Sequence, residues 1–354
     1  MYLALKEIRH EKLRYTLITA MIVLISYLIF ILSGLANGLA SENTQAITSW
    51  HTKTVLLNRD ANVNLSQSTI TKKQLAATNL TKSQAIVGQA AIVVKSSNRE
   101  KESAQFIGLD KSQYIAKNLV ASSGRRFRKQ HEVIVDQQFK SEGYKIGDKI
   151  KFNSASNQYT IVGFTKNAKL NIAPIVYGQI AVWKKLRPFP GGQVAASAII
   201  SKTAHFTAGV KGLKRYSSHY FISKLPGYSA QNTTFAFMIG FLMVISLVVI
   251  AVFLYILTIQ ALPTYAVLRA QGIPGAKLVN TIISQSLVLM IIGIIGGALL
   301  TAVTASLIPF GVPLSFNLVM LSLITLGLMV MGIVGAALPA RKIAKIDPVS
   351  VIGG

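Results

Sequence analysis

Between Lys224 and Arg341 the chain carries two charged residues, Arg269 and Lys277, both inside TYAVLRAQGIPGAKLVN (264–280). A fixed guanidinium and an ammonium on so short a segment do the chemistry of a grip. Either a partner holds them, or they anchor the segment on the positive side of a membrane. Good helix formers in YAVLRA are followed by Gly272, Pro274 and Gly275, which stop a helix before the next apolar run. An anchor alone explains the charges but not this stop. Leu268 and Arg269 are therefore the residues expected to meet a coupling partner, with Gly272 ending their helix.

Other chemistries leave no such pattern. The five histidines, His10, His51, His131, His205 and His219, never fall at the two-to-five-residue spacing of a metal pair. Cysteine is absent, which excludes disulfides, thiolate catalysis and Cys-ligated metals. There is no Gly-x-x-x-x-Gly-Lys-[Ser/Thr] phosphate loop, no Gly-x-Ser-x-Gly elbow and no Gly-x-Gly-x-x-Gly turn. No Asp or Glu stands inside an apolar run, which argues against an ion-coupled carrier with a titratable midplane group. We assign no catalytic residue, no metal site and no cofactor; the reading is a non-enzymatic membrane component.

The elements that hold the grip are membrane-spanning. Hydrophobic residues make up 51% of the 354 residues, and they are concentrated: 15–41, 225–268 and 278–340 hold no acidic or basic residue before Arg269 and Arg341 interrupt them. Each run exceeds the roughly 20 residues that cross a bilayer core. The first follows Lys6, Arg9, Lys12 and Arg14, yet its apolar part is longer than the roughly 7–15 residues of a cleaved signal, so it is expected to remain as a span.

The chain divides into an amphipathic helix at 1–14 along the membrane surface, a first span at 15–39 and a polar block at 40–230. A second span at 231–262, a loop at 263–277, a third span at 278–307, a turn at 308–317, a fourth span at 318–338 and a tail at 339–354 complete it. The turn contains PFGVP (309–313), whose prolines end a helix. With four spans the start, the loop and the tail, all basic, fall on one side, the cytoplasm. The polar block then faces outwards as a multi-pass plasma-membrane protein would place it. Gly293 with Gly297 and Gly332 with Ala336 permit close helix approach, within the chain or between copies.

The polar block reads as a mixed α/β domain. TKTVLLN (52–58), QAIVGQAAIVVKSS (84–97) and SAQFIGL (103–109) are strand-like. EVIVDQQFKSEGYKIGDKIKF (132–152) reads as a strand, a short helix ending at Gly143, a Gly-Asp turn and a strand that pairs with QYTIVGF (158–164). The net charge of +25 lies mostly here, since residues 41–230 hold 28 of the 37 Lys and Arg against 9 of the 12 Asp and Glu. Those cations are scattered except for GRRFRK (124–129), which suits a surface facing an anionic envelope or lipid headgroups rather than nucleic acid.

Three segments carry a resemblance: YAVLRAQGIPGAKLV (265–279), LPARKIAKIDPVSVIGG (338–354), and EVIVDQQFKSEGYKIGDKIKF with YTIVGF. Together with the element order they resemble the FtsX/MacB-type superfamily of ABC-transporter permeases. Within it, AVLRAQGI, IVGFTKNAKLNIAPIVY and IDPVSVIGG look like the haem-efflux (HrtB-like) permease group, from which the chain departs at Ile172 and Ala173, where that group tends to have a His before the proline.

The resemblance implies a homodimeric permease working with two copies of a separate ATPase. Closure of the ATPase is transmitted through the membrane, and haem or a similar amphipathic molecule is taken as substrate from the outer leaflet between the first and second spans. It also implies where to look for that substrate: Tyr27 and Phe30 on the first span, Phe235, Phe237 and Met238 on the second. Tyr and Met can ligate haem iron and the rings can sandwich a porphyrin, whereas the plainer reading is an interfacial aromatic belt. Lys53 and Lys224 lie near the membrane surface in sequence, where they could meet carboxylates. Other members of the superfamily suggest a signal-transmitting permease that activates a cell-wall hydrolase, or an exporter of a peptide, antibiotic or lipoprotein.

Overall fold

The structure is a computed structural model that describes residues 12–96, 99–153, 156–206, 209–309 and 311–344. The expected surface helix at 1–14, apart from its last three residues, and the tail beyond residue 344 lie outside the described residues. The chain splits into a helical unit, Met1–Gly38 with Asn232–Gly354, and an inserted domain, Leu39–Gln231.

Helix α1 runs without interruption over Lys12–Ser49. The inserted domain follows with β1 (Thr54–Asn58), β2 (Ile70–Thr71), α2 (Lys72–Ala77), β3 (Gln84–Lys95), β4 (Glu102–Leu109), α3 (Tyr114–Asn118), β5 (Ser123–Gly124), β6 (Glu132–Asp136) and α4 (Gln137–Ser141). It continues with β7 (Lys149–Phe152), β8 (Gln158–Thr165), β9 (Lys169–Leu170), β10 (Ala173–Gln179), α5 (Ile180–Leu186), β11 (Val194–Ala196), β12 (Ala198–Ser201), β13 (Leu213–Ser217) and α6 (Ser218–Ser223). Then come α7 (Tyr228–Gln260), α8 (Leu262–Ala270), α9 (Gly275–Leu307) and α10 (Leu318–Ala344).

The large sheet of the inserted domain runs β13-β1-β12-β3-β4-β10-β6-β8-β5, with β7 bridging β3 and β8 and β9 pairing β10. The β4–β10 and β6–β8 pairs are parallel, and the remaining ladders are antiparallel. Successive residues of a strand face opposite sides. Accordingly Ile107, Ile134 and Tyr177 enter one core with Ala46, Ile47 and Trp50 at the end of α1 and Phe221 of α6. Their neighbours Phe106, Val133, Val135 and Val176 enter a second core with Phe139 of α4 and Trp183 of α5. Both faces are covered, which is why EVIVD is buried along its whole length.

Gly88, Gly108 and Gly178 align across β3, β4 and β10. Their missing side chains make a trough for two rings. A Cβ on Gly108 would come 2.7 Å from Cβ of Trp183, and one on Gly178 would come 2.7 Å from Cζ of Phe106. The expected hairpin is present as β7 and β8, and α4 ends at Ser141, with Glu142 as its C-cap and Gly143 at φ +86°.

Among the described residues four helices, α1, α7, α9 and α10, are long and apolar enough to cross a membrane. At about 1.5 Å per residue the 38 residues of α1 measure about 57 Å, well beyond a hydrocarbon core of about 30 Å. The helix bounds therefore exceed the expected spans. α1 continues ten residues past 39, α7 begins at Tyr228, α9 starts at Gly275 inside the expected loop, and α10 passes through Pro339 to Ala344.

Glycines chain these helices together. Gly293 and Gly297 of α9 lie against Ile22 and Ser26 of α1, Gly332 of α10 against Met290 of α9, and Gly335 of α10 against Ile250 and Ala251 of α7. The small-residue pairs thus serve packing within the chain. The segment 311–317 is more than a turn: Asn37 donates to the Ser315 carbonyl at 3.1 Å, and Gly38 leaves room for the backbone of Pro313.

Candidate functional site

The basic segment between α7 and α9 forms the expected short helix, α8, with Pro263 in its first turn and Tyr265 and Ala266 buried. Its end is a paired cap. The Gly272 N–H donates to the Arg269 carbonyl at 3.0 Å and the Ile273 N–H to the Leu268 carbonyl at 3.1 Å. This is the Schellman arrangement, with Gly272 at φ +86° in the left-handed position and Ile273 and Leu268 both packed on the helical core. Pro274 then starts α9. Leu268 and Arg269 are half-buried, and Gly272 is exposed, with nothing within 4 Å of a Cβ placed on it. Gly272 is thus the residue that sets the shape of the segment, and Arg269 its charged feature.

No Asp or Glu occurs within 12–38 or 232–344, while Lys12, Arg14, Arg269, Lys277, Arg341 and Lys342 do. These cations stand at the start of α1, around α8, and at the end of α10. An acidic partner or anionic lipid would complement all of them.

The aromatic candidates are placed differently from one another. The Tyr27 hydroxyl is 3.1 Å from Thr304 Oγ1 of α9, and Phe30 is 3% exposed in the core shared by α1, α7, α9 and α10. On α7, Phe235 is half-buried, while Phe237 and Met238 are 64% and 45% exposed. Among the described residues no ring contact joins Tyr27 or Phe30 of α1 to the aromatics of α7. Phe237 and Met238 begin an exposed apolar stripe that continues through Phe241, Val244, Val248 and Val252. Lys224 lies over the Tyr220 ring at 5.7 Å, and Lys53 is exposed.

One linkage escapes sequence reasoning. Within the inserted domain, Glu42 of α1 meets Lys169 of β9 at 2.7 Å, with both side chains largely buried. Eight residues on, the Trp50 indole donates to the Tyr177 hydroxyl of β10 at 3.2 Å. Burial pushes the Tyr177 phenol well above its ordinary range, so it stays neutral. The last turns of α1 are therefore fastened to two strands of the sheet. Nothing local marks the 127 residues that separate Glu42 from Lys169 as a pair.

Comparison with known proteins places this arrangement. Residues 236–348 match the family described as FtsX-like permease C-terminal. Over 358 aligned residues, covering 100% of this chain and 99% of the relative, it is 25% identical to a Staphylococcus haemolyticus protein whose assigned name is hemin transport system permease protein HrtB. A Staphylococcus epidermidis protein of the same name is 24% identical over 100% of this chain and 99% of its own length.

Among solved structures, the periplasmic region of MacB from Actinobacillus actinomycetemcomitans is similar at 12% identity and a TM-score of 0.35, covering 48% of this chain and 89% of that one. The extracellular domain of the ABC-type transporter YknZ from Gram-positive bacteria is similar at 12% identity and a TM-score of 0.32, covering 43% and 82%. The strand pairings themselves make the inserted domain α/β.

Proposed function

We propose that this multi-pass membrane protein is the permease subunit of an ABC-type efflux system for haem or a similar amphipathic molecule. The observation that carries the reading is end-to-end similarity to two proteins named as hemin transport permeases, with 99% of each covered. In this reading the chain works as a homodimer in a lipid bilayer with a separate ATPase, the two termini are cytoplasmic and residues 40–230 lie outside.

The physical logic runs along α1. A continuous helix resists bending because each backbone hydrogen bond supports the next, and α1 is unbroken from Lys12 to Ser49. A displacement imposed near α8 and the start of α1 is delivered to the sheet at the Glu42–Lys169 and Trp50–Tyr177 contacts. Arg269 and Leu268 receive the push from the ATPase, and the Gly272 cap keeps their helix in one shape. Substrate meets the exposed Phe237 and Met238, with Phe235 beside them on α7 and Tyr27 on α1. Phe30, buried in the helix core, contributes packing. A flat amphipathic ring suits an apolar, aromatic face open to the bilayer.

The test is haemin tolerance after deleting the gene, with and without a neighbouring ATPase gene. Loss of tolerance restored only by both genes is expected. Unchanged tolerance overturns haem as substrate and leaves the permease assignment standing.

A further inference from the structure

The GRRFRK cluster has no part in that function, and the structure gives it a built setting. Residues 124–128 border a cavity of about 620 Å³ in the inserted domain, together with Lys111, Ala116 and Lys117. The loop is held rigidly from behind. Ser123 and Gly124 pair with Phe164 and Gly163 of β8, and Gly124 sits at φ +80° with room for only a hydrogen: a Cβ would come 2.8 Å from the Gly163 Cα. Phe127 is buried in the core beneath.

Glu132, itself buried, takes both guanidinium nitrogens of Arg125 at 2.9 and 2.8 Å and the backbone N–H groups of Arg128 and Lys129 at 2.7 and 3.1 Å. Both oxygens of that carboxylate are used to fix the loop.

Four cations then face the cavity without a carboxylate: Lys111, Lys117, Arg126 and Arg128. All four are exposed, and none forms an ion pair among the described residues. Arg126 donates to the Lys117 carbonyl, which draws the two sides of the cavity together. Four like charges around one cavity make a local positive potential that draws an anion in. Two guanidinium groups favour an oxyanion that can accept paired hydrogen bonds, and a phosphate group has the charge and the acceptors to meet all four groups.

We propose that this cavity binds a multiply charged phosphate group, carried by a soluble molecule or by a lipid headgroup. The experiment uses the full-length protein in phosphatidylcholine nanodiscs, titrated calorimetrically with sodium tripolyphosphate. Saturable binding is expected, and R126A/R128A weakens it by about tenfold or more. K184A/K185A, which removes the same charge from exposed positions outside the cavity, changes it less than about twofold.

R126Q/R128Q repeats the test with less loss of side chain; the backbone bond from Arg128 to Glu132 survives in both variants. Absence of saturable binding, or equal losses in the two charge-matched pairs, overturns the proposal. With cavity-specific loss in hand, a second arm adds phosphatidylglycerol to the discs. Weaker tripolyphosphate binding by the wild type there assigns the site to lipid headgroups, and unchanged binding assigns it to soluble phosphates.

Discussion

Glu42 and Lys169 form a 2.7 Å ion pair that ties α1 to β9, with the two side chains 15% and 12% exposed. Removing one partner strands the other charge away from water. Lys169→Ala is expected to destabilise the inserted domain by about 1–3 kcal/mol and to lower export while ATP hydrolysis by the partner continues. The charge swap Glu42→Lys with Lys169→Glu restores much of the export if the link itself matters. Melting temperature, hydrolysis and export measured on one preparation decide it; a swap no better than the single variant contradicts the linkage.

The helix pairing makes a sharper steric prediction. A Cβ on Gly297 falls 2.7 Å from Ser26 Cβ and 2.9 Å from the Tyr27 nitrogen, whereas nothing lies within 4 Å of one on Gly240. Gly297→Ala is expected to cost about 1–3 kcal/mol by forcing α1 and α9 apart. Gly240→Ala, in open space on α7, gains up to about 1 kcal/mol from helix propensity. Thermal melts in detergent should separate the two variants in opposite directions; similar melts would mean that α1 and α9 do not pack as described.

Arg269 and Gly272 are separable in the same manner. Gly272 occupies the left-handed cap position, so Gly272→Ala costs about 1 kcal/mol or more locally and loosens α8. Arg269→Ala leaves both cap hydrogen bonds in place, because they are made by backbone atoms. We expect Arg269→Ala to keep membrane insertion and lose coupling, read as the ratio of substrate exported to ATP hydrolysed. A normal ratio would reduce the segment to a turn.

Glu132 supplies a pH signature. Its bidentate bond from Arg125 holds its pKa at about 2, below the ordinary value of 4.5. The stabilisation it gives is complete above pH 4.5 and is lost as pH falls towards 2. Glu132→Gln should therefore melt lower than wild type at pH 6, with the gap closing between pH 4.5 and 2. A gap that stays constant across that window would rule out the carboxylate as its origin.

Much of this architecture is legible in the sequence because charge is so unevenly spread. The charge-free runs give the four apolar helices found among the described residues. Turn chemistry gives the β7–β8 hairpin, and Gly272 gives the stop of α8.

What stays hidden depends on distant partners. The alignment of Gly88, Gly108 and Gly178 appears only once β4 and β10 pair in parallel across the sequence between them. The faces of α1 are hidden for another reason: a helix apolar all round has no periodicity to say that Phe30 points into the core or that Tyr27 meets Thr304. The aromatic candidates were found by type, and their surroundings come only from packing.

The central claim is that an amphipathic ring on the α7 face is sensed by an ATPase acting through this chain. Its most direct test is ATP hydrolysis by the permease reconstituted in nanodiscs with the neighbouring ATPase, titrated with haemin. We predict saturable stimulation in the wild type, abolished in Phe237→Ala with Met238→Ala while basal hydrolysis is retained. Hydrolysis that does not respond to haemin, or responds equally in that variant, contradicts the account.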